Sequence, residues 1–365
     1  MNLRANILFV HLTQYGRHTN SYKHCKNLMK HYDMTYLCFE ENVKKIEDDV
    51  NVIYLQKEGS SVRNVFKIIR EARKLIKQND YQLIYIFYFK FCFLIKLFLE
   101  KNFLLDIRTG AIAGHRAERW RSNFLLRIES FFFDNITILS NSLRKKLKLN
   151  SFKCTVVPLG SDILSSKNKS YDKLSLFYIG SLNNREIYKT VHGLAKFLRA
   201  NRDKNIEITY DIFGYANKEK TLLLTNSIIE NGLNNIVKYH GRKEHYEIQD
   251  YFDNCNVGVS YIPMTEYYDC QPSTKTFEYI NSGMVCLATD TSANRDVIND
   301  KNGILFDDNA DAFKDALDKL YRNRNNYKTD EILQTLEMYT WKRIFEDKLF
   351  PLIKNIIKKD KRILK

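Results

Sequence analysis

Proline is nearly absent from this 365-residue chain, with four in all, and glycine is sparse at thirteen. Collagen-like, proline-rich and low-complexity architectures are thereby excluded. The chain has no Cys-x-x-Cys and no Cys/His spacing suited to zinc, so no metal site is expected. It has no Gly-x-Gly-x-x-Gly and no Gly-x-x-x-x-Gly-Lys-Ser/Thr run, which leaves a dinucleotide dehydrogenase or a P-loop nucleotidase without its signature. Seven cysteines, an odd number, are scattered along the chain. Cys38, Cys92, Cys255 and Cys286 lie in or beside apolar stretches, where a thiol behaves as a small hydrophobe, and a reducing cytoplasm is the expected compartment. The first apolar run, "ILFV", is too short for a secretory signal. No period of 20–50 residues marks a repeat array.

Long hydrophobic runs are also scarce. The one candidate, "YQLIYIFYFKFCFLIKLFLE" at 81–100, is interrupted by Lys90 and Lys96, which are costly in hydrocarbon. It divides better into a strand at Leu83–Tyr88 and a short apolar helix near Phe91–Leu99.

What is present describes a globular protein of 44 % hydrophobic and 28 % charged residues, with length for two domains. Lysine and arginine total 58 against 43 acidic residues, a formal charge of +15 that favours anionic partners. A nucleic-acid binder is the rival class. It is not expected, because no recognition module or RNP-like strand occurs and the aromatics fall in apolar runs.

Strand and helix patterns alternate almost throughout. "NILFVH", "MTYLCF", "VIYL", "LIYIFY", "FLLDIR", "ITILS" and "CTVVP" read as buried parallel strands with helices between them. After a polar, aperiodic stretch at 165–173 the alternation restarts with "LSLFYIG", "IEITYDIFG", "IVKYHG", "VGVSYI", "MVCLATD" and "GILF". The expectation is an α/β protein of two tandem Rossmann-like, doubly wound domains facing across a cleft. The boundaries drawn from sequence are 1–165, 166–338 and a C-terminal helical region, 339–365, crossing back to the first domain.

The most informative stretch is "QPSTKTFEYINSG", 271–283. Pro272, Ser273 and Thr274 suit a helix start, with Pro at the first helical position, and helix N–H groups attract phosphate. Lys275 adds a positive charge in the same turn. Glu278 lies on the face of Thr274, where a carboxylate can accept two hydrogen bonds from a vicinal diol such as a ribose. A nucleotide site follows. The competing reading is an ordinary capped helix, with Phe277 and Ile280 in the core and both charges in water.

"QPSTKTFEYINSGMVCLATD" followed by "ANRDVINDKNGILF" resembles the donor-site region of retaining glycosyltransferases of family 4, the group 1 enzymes of GT-B fold. "YIGSLNNREIYKTVHGLAKF", "YDIFGYAN" and "VKYHGRKEHYEIQDYFDNCNVGVSYIP" resemble the segments before it. "TILSNSLRKKLKLNSFKCTVVPLGSD" resembles the end of the first domain, and "YTWKRIF" the returning helix. The resemblance implies transfer of a sugar from a nucleotide diphosphate-sugar to a saccharide or lipid-linked saccharide acceptor. It further implies retention of configuration, no dissociable metal and no cofactor beyond the donor. The expected setting is bacterial surface polysaccharide synthesis. Another GT-B activity, epimerase or phosphorylase, is the nearer alternative.

The resemblance also implies roles. Arg185 and Lys275 neutralise the departing diphosphate, and fixed cations act most on charge that develops in the transition state. Glu278 holds the ribose, with Ser273, Thr274, Gly180, Gly16 and Arg242 also on the donor. The chain departs from the family pattern where Cys270 stands for a first glutamate, beside Asp269, and where Ser181 follows Gly180. Asp106, Arg108 and His115 in "LLDIRTGAIAGHRAERW" are first-domain candidates, with His18 behind them. Arg63, Lys67, Arg70, Lys74 and Lys77 form a basic stripe on one helix, opposite an expected apolar face of Val62, Val65, Phe66, Ile69 and Ile76. An anionic membrane surface is the expected partner of that stripe, making the enzyme peripheral on the inner face of the membrane.

Overall fold

In a computed structural model, which describes residues 4–112, 114–243 and 247–363, the chain forms two compact units. Met1–Leu159 with Trp341–Lys365 make the first and Gly160–Thr340 the second.

The first unit contains β1 (Asn6–Val10), α1 (Thr19–Leu28), β2 (Asp33–Phe39), β3 (Asn51–Leu55), α2 (Ser61–Gln78), β4 (Leu83–Phe87) and α3 (Phe93–Lys96). It continues with β5 (Phe103–Ile107), α4 (Arg116–Ser130), β6 (Asn135–Ile138), α5 (Asn141–Leu147) and β7 (Cys154–Val156). The second holds β8 (Leu174–Ile179), α6 (Tyr188–Ala200), β9 (Ile208–Phe213), α7 (Lys218–Glu230), β10 (Val237–Tyr239), α8 (Gln249–Asn254) and β11 (Val257–Ser260). It closes with α9 (Thr274–Ile280), β12 (Val285–Thr289), α10 (Ser292–Arg295), β13 (Gly303–Phe306), α11 (Ala310–Asn323) and α12 (Thr329–Leu336). The expected start of α8 at Tyr246 lies outside the described residues. Two last helices, α13 (Trp341–Ile344) and α14 (Phe350–Ile363), belong to the first unit.

Each unit is built on one parallel sheet, with strand order β3-β2-β1-β4-β5-β6-β7 in the first and β10-β9-β8-β11-β12-β13 in the second. The order reverses between β1 and β4 and between β8 and β11, so each sheet has a crevice at the carboxyl ends of those strands. The central strands are buried on both faces, as their unbroken apolar runs require. Leu349, Ile353 and Ile356 join Ile7, Phe9 and Leu83 in one apolar core. The polar stretch 165–173 runs over the second unit, where Lys169 N donates to Thr329 Oγ1 at 2.8 Å and its Nζ reaches Asp253 O at 3.0 Å.

Two sequence expectations are corrected. The apolar helix expected near Phe91–Leu99 shortens to α3, because Phe91 and Phe98 both take left-handed backbone, φ +70° and +61°. Arg73 Nη1 then satisfies its end, donating to Leu94 O at 2.7 Å and Leu97 O at 2.8 Å. On α2 the buried arc is Ile68, Ile69, Ala72 and Ile76, while Val62 and Phe66 are exposed. Phe66 instead stacks near Phe91, with centroids 6.2 Å apart. The basic residues do occupy the outer face, but Lys67 is engaged by Glu58 at 2.6 Å, and Glu71 lies 3.5 Å from Arg70. Among the described residues no helix is long and apolar enough to cross a membrane.

In the second unit α9 sits close on β11 because Gly258 has no side chain. A Cβ there would lie 2.2 Å from Tyr279 Cγ. Gly258→Ala should therefore destabilise the protein by about 1–3 kcal/mol, the usual cost of overpacking. Denaturant unfolding of the second unit measures it, and an unchanged midpoint would contradict this packing.

Candidate functional site

The site grows from the end of β8. Gly180 follows that strand at φ +146°, and Gly214 follows β9 at φ +153°. A Cβ on Gly214 would stand 1.8 Å from Gly180 O, so the two strand ends can meet only as glycines. Beyond Gly180 the chain turns sharply, with Asn184 (φ +56°) and Glu186 (φ +48°) in left-handed conformation on either side of Arg185. The Arg185 guanidinium rests over the Tyr268 ring, 4.1 Å from its centroid.

From the other side comes α9. Ser273 is its N-cap and Thr274 its first helical residue, so Pro272 precedes the cap and does not open the helix as expected. The Ser273 hydroxyl makes no capping bond and leaves the first N–H groups of the helix unblocked by that side chain. Thr276 anchors this turn in the interior, with Ser260 Oγ at 2.7 Å and Asn294 Oδ1 at 3.3 Å. One turn later the Tyr279 hydroxyl accepts a hydrogen bond from Ile179 N at 2.9 Å. β11 pairs with β8 only as far as Phe177, so Tyr279 satisfies a strand N–H that β11 does not reach.

That clamp sets Lys275 over β8. It is 8 % exposed, and its Nζ lies 4.0 Å from the centroid of the buried Tyr178 ring. The Tyr178 hydroxyl donates to Ser181 O at 2.9 Å, so one side chain seats the lysine and ties down the turn. Burial, and then the nearby Arg185, push the Lys275 ammonium down to about 7, against opposing pulls from Cys286 and Glu278.

Gly180, Ser181 and Arg185 from one loop and Ser273, Thr274, Lys275 and Glu278 from α9 line one cavity of about 350 Å³. Ile179, Ile248 and Phe252 supply an apolar wall. Two cations, a half-buried carboxylate and a flat apolar face thus share one pocket. Arg242 is exposed after β10 and does not line it. Asp269 accepts from Ser292 N at 2.8 Å and Ser292 Oγ at 2.6 Å, and so pins the loop before α9 to α10.

The first unit carries its own polar cluster at the carboxyl ends of β1, β4 and β5. Asp106, 1 % exposed, accepts from Arg108 Nε at 2.7 Å and Thr137 Oγ1 at 2.7 Å. Arg108 Nη1 donates to Val157 O at 2.9 Å, and its Nη2 lies 3.3 Å from His24 Nε2. Asp106 is therefore an interior partner of Arg108, held below the strand end. His18 caps α1 through Ser21 N at 3.4 Å and lies 5.2 Å from the His11 ring. Burial, with His18 beside it, pushes His11 down to about 3, and burial also lowers His18 and His24. All three imidazoles are neutral at pH 7. The exposed His115 is the uncapping N-cap residue of α4 and is not gathered into this cluster by any contact. Gly16 is explained by its turn, at φ +88°, and by Ile46, whose Cδ1 would lie 2.2 Å from a Cβ. Sequence reasoning missed His11 and His24. His11 follows β1 directly, a position the strand-end rule flags, whereas His24 inside α1 carries no such mark.

Two doubly wound parallel-sheet units in one chain, the second with Lys275, Arg185 and Glu278 lining one cavity, define an α/β protein of GT-B fold. Residues 162–333 match the family model for glycosyl transferases group 1, and residues 6–103 match that for glycosyl transferase 4-like proteins. Together these two glycosyl transferase models cover well over half of the chain and, with the GT-B fold, support a group 1 glycosyltransferase. The fold is similar to that of a sucrose-phosphate synthase from Thermosynechococcus elongatus, with TM-score 0.74 and 14 % identity over 98 % of this chain and 100 % of that one. It is also similar to Anabaena HepE in complex with UDP and glucose, with TM-score 0.69 and 12 % identity over 93 % of this chain and 96 % of that one. The lipopolysaccharide outer core galactosyltransferase WaaB gives TM-score 0.69 and 15 % identity over 97 % and 99 %. No curated protein matches the chain in sequence.

A lysine held near 7 makes anion binding proton-linked. Without ligand, Lys275 is largely neutral at pH 8; a bound diphosphate would raise it and draw in a proton. The same depressed value makes its contribution to folding stability rise as pH climbs from about 7 towards the unfolded value of about 10.4. Titration calorimetry with a nucleoside diphosphate at pH 8, in buffers of different ionisation enthalpy, should show uptake approaching one proton. Lys275→Met should abolish the uptake and weaken binding about tenfold or more. Equal enthalpies in all buffers for the unmodified protein would contradict this assignment.

Proposed function

We propose that the protein transfers a sugar from a nucleoside diphosphate-sugar to a saccharide or lipid-linked saccharide acceptor, with retention of anomeric configuration and without a metal ion. The observation that carries this reading is the placement of Lys275 and Glu278 one turn apart on α9, in one cavity with Gly180 and Arg185. In this reading the apolar wall of Ile248 and Phe252 receives the base, and Glu278 accepts hydrogen bonds from the ribose diol. Lys275 and Arg185 take the diphosphate. Breaking the glycosidic bond leaves new negative charge on the β-phosphate, which two pre-seated cations stabilise most in the transition state. The departing phosphate oxygen takes the proton of the acceptor hydroxyl on the same face of the sugar, so carbon–oxygen bond making and breaking balance without a carboxylate nucleophile. The complexes of HepE with UDP and with UDP-glucose, and the galactosyltransferase name of WaaB, support a nucleotide-sugar donor and surface polysaccharide as the setting.

A screen of nucleotide-sugars for turnover identifies the donor. With that donor, Glu278→Gln should cost about 1.5–3 kcal/mol in kcat/KM while the protein stays folded, since one charged acceptor to a diol is lost. An unchanged kcat/KM would refute the ribose role. Turnover should survive EDTA, and NMR of the product linkage should show the donor's anomeric configuration. Loss of turnover on chelation that Mn²⁺ restores, or an inverted product, would overturn those parts of the proposal.

A further inference from the structure

Among the described residues of the first unit, α4 carries a run of uncovered apolar side chains. Trp120, Phe124, Ile128 and Phe131 are 66, 49, 41 and 56 % exposed. At 3.6 residues per turn they fall within an arc of about 80°, so they form one ridge along the helix. The Trp120 and Phe124 rings stack on each other, with centroids 5.5 Å apart and planes 5° from parallel. Phe132 extends the ridge, itself stacked on Phe93 at 4.7 Å. Soluble proteins seldom leave so contiguous an apolar strip to water without a partner for it.

The charges beside the ridge identify the partner. Arg116 and Arg127 border the arc on one side and Arg121 on the other. α5, which packs against α4, exposes Lys145, and Lys148 just past its end is exposed too. The inner face of α4 is tied to the fold: Leu126 is buried, Asn123 Oδ1 accepts from Ala111 N at 2.8 Å, and Glu129 accepts from Phe91 N at 2.9 Å. The ridge therefore cannot turn inward. A second copy would bring arginines against arginines in a chain already carrying +15. An apolar strip with cations on both edges suits instead a surface that is apolar beneath an anionic layer. Tryptophan and phenylalanine favour the boundary between headgroups and acyl chains, and arginine the headgroups above it.

We propose that α4 is an interfacial helix, docking the first unit on an anionic lipid bilayer through Trp120, Phe124, Ile128 and Phe131 with the flanking arginines. This places the primary contact on α4, whose ridge faces outward, and not on α2, whose apolar arc is mostly spent on the core and leaves only Val62 and Phe66 exposed. It does not rest on the transfer reaction, and vesicle binding is measured without donor or acceptor.

The chain supplies its own probe. It has two tryptophans, and Trp341 is buried at 6 % exposure, so any environmental shift reports Trp120. At about 0.15 M salt, vesicles of equimolar phosphatidylglycerol and phosphatidylcholine should sediment the protein and shift its emission to the blue. Pure phosphatidylcholine should do so at least about tenfold less well, since each cation near an anionic surface contributes about fivefold. Trp120→Phe should keep the binding and lose the shift. The combined Trp120→Ser, Phe124→Ser and Phe131→Ser variant, with Tm unchanged because these side chains are exposed, should bind about tenfold or more weakly. Changing Arg63, Lys67, Arg70, Lys74 and Lys77 to Gln should leave the shift in place. Negligible binding to both vesicle types, binding with unshifted emission, or a serine variant that binds like the parent would each overturn the proposal. So would a concentration-dependent dimer that only the serine variant loses.

Discussion

The contact on which the α9 pocket depends is the hydrogen bond from Ile179 N to the Tyr279 hydroxyl, made possible by the missing side chain of Gly258. It joins a helix to the end of a strand that its own neighbour does not reach. Because it is fixed, the rest of α9 is fixed too. Lys275, one turn earlier, lands on the ring of Tyr178, and Glu278, beside Tyr279, lines the same cavity as Ile248. Had β11 kept a β-branched residue at 258, α9 would stand farther from the sheet and the two charges would face solvent, as in an ordinary capped helix.

Burying Lys275 carries a cost. An ammonium out of water is disfavoured, and the protein meets this with a π-face and by letting the group approach neutrality near pH 7. Near pH 7 the pocket therefore holds less positive charge than its side chains suggest. Arg185 differs: it stays partly exposed and is braced on Tyr268 by a turn that spends two left-handed residues to aim it. The histidines of the first unit follow the same logic in reverse. Their burial keeps them neutral beside a single Arg108–Asp106 pair, so that crevice offers hydrogen bonds more than charge.

Much of this was legible in the chain. The alternation of apolar runs with helical spacing marked both sheets, and "QPSTKTFEYINSG" marked α9 through its proline, hydroxyls and terminating glycine. Lys275 and Glu278 were readable as candidates from the helix start and from the family resemblance, while the same stretch also read as an ordinary capped helix. The seats were not readable. Tyr178 and Tyr268 are separated by 90 positions from each other and look like ordinary core aromatics, and only the folded backbone brings each to its cation. Gly258 lies inside an apolar run with no turn signal. On α2 the period was visible but the phase was not: Val62 and Phe66 extend the apolar arc by one step, and the sheet chose the side centred on Ile68 and Ala72. On α4 the exposed ridge has the composition of a core face, so exposure alone distinguishes it.

The central claim is that α9 presents Lys275 and Glu278 to one nucleotide. A crystal structure with uridine diphosphate as the probe tests it most directly. The account predicts phosphate oxygens within hydrogen-bonding distance of Lys275 Nζ and the Arg185 guanidinium, and both ribose hydroxyls on the Glu278 carboxylate. A nucleotide bound away from α9, or with its ribose at Lys275 and its phosphates at Glu278, would contradict it.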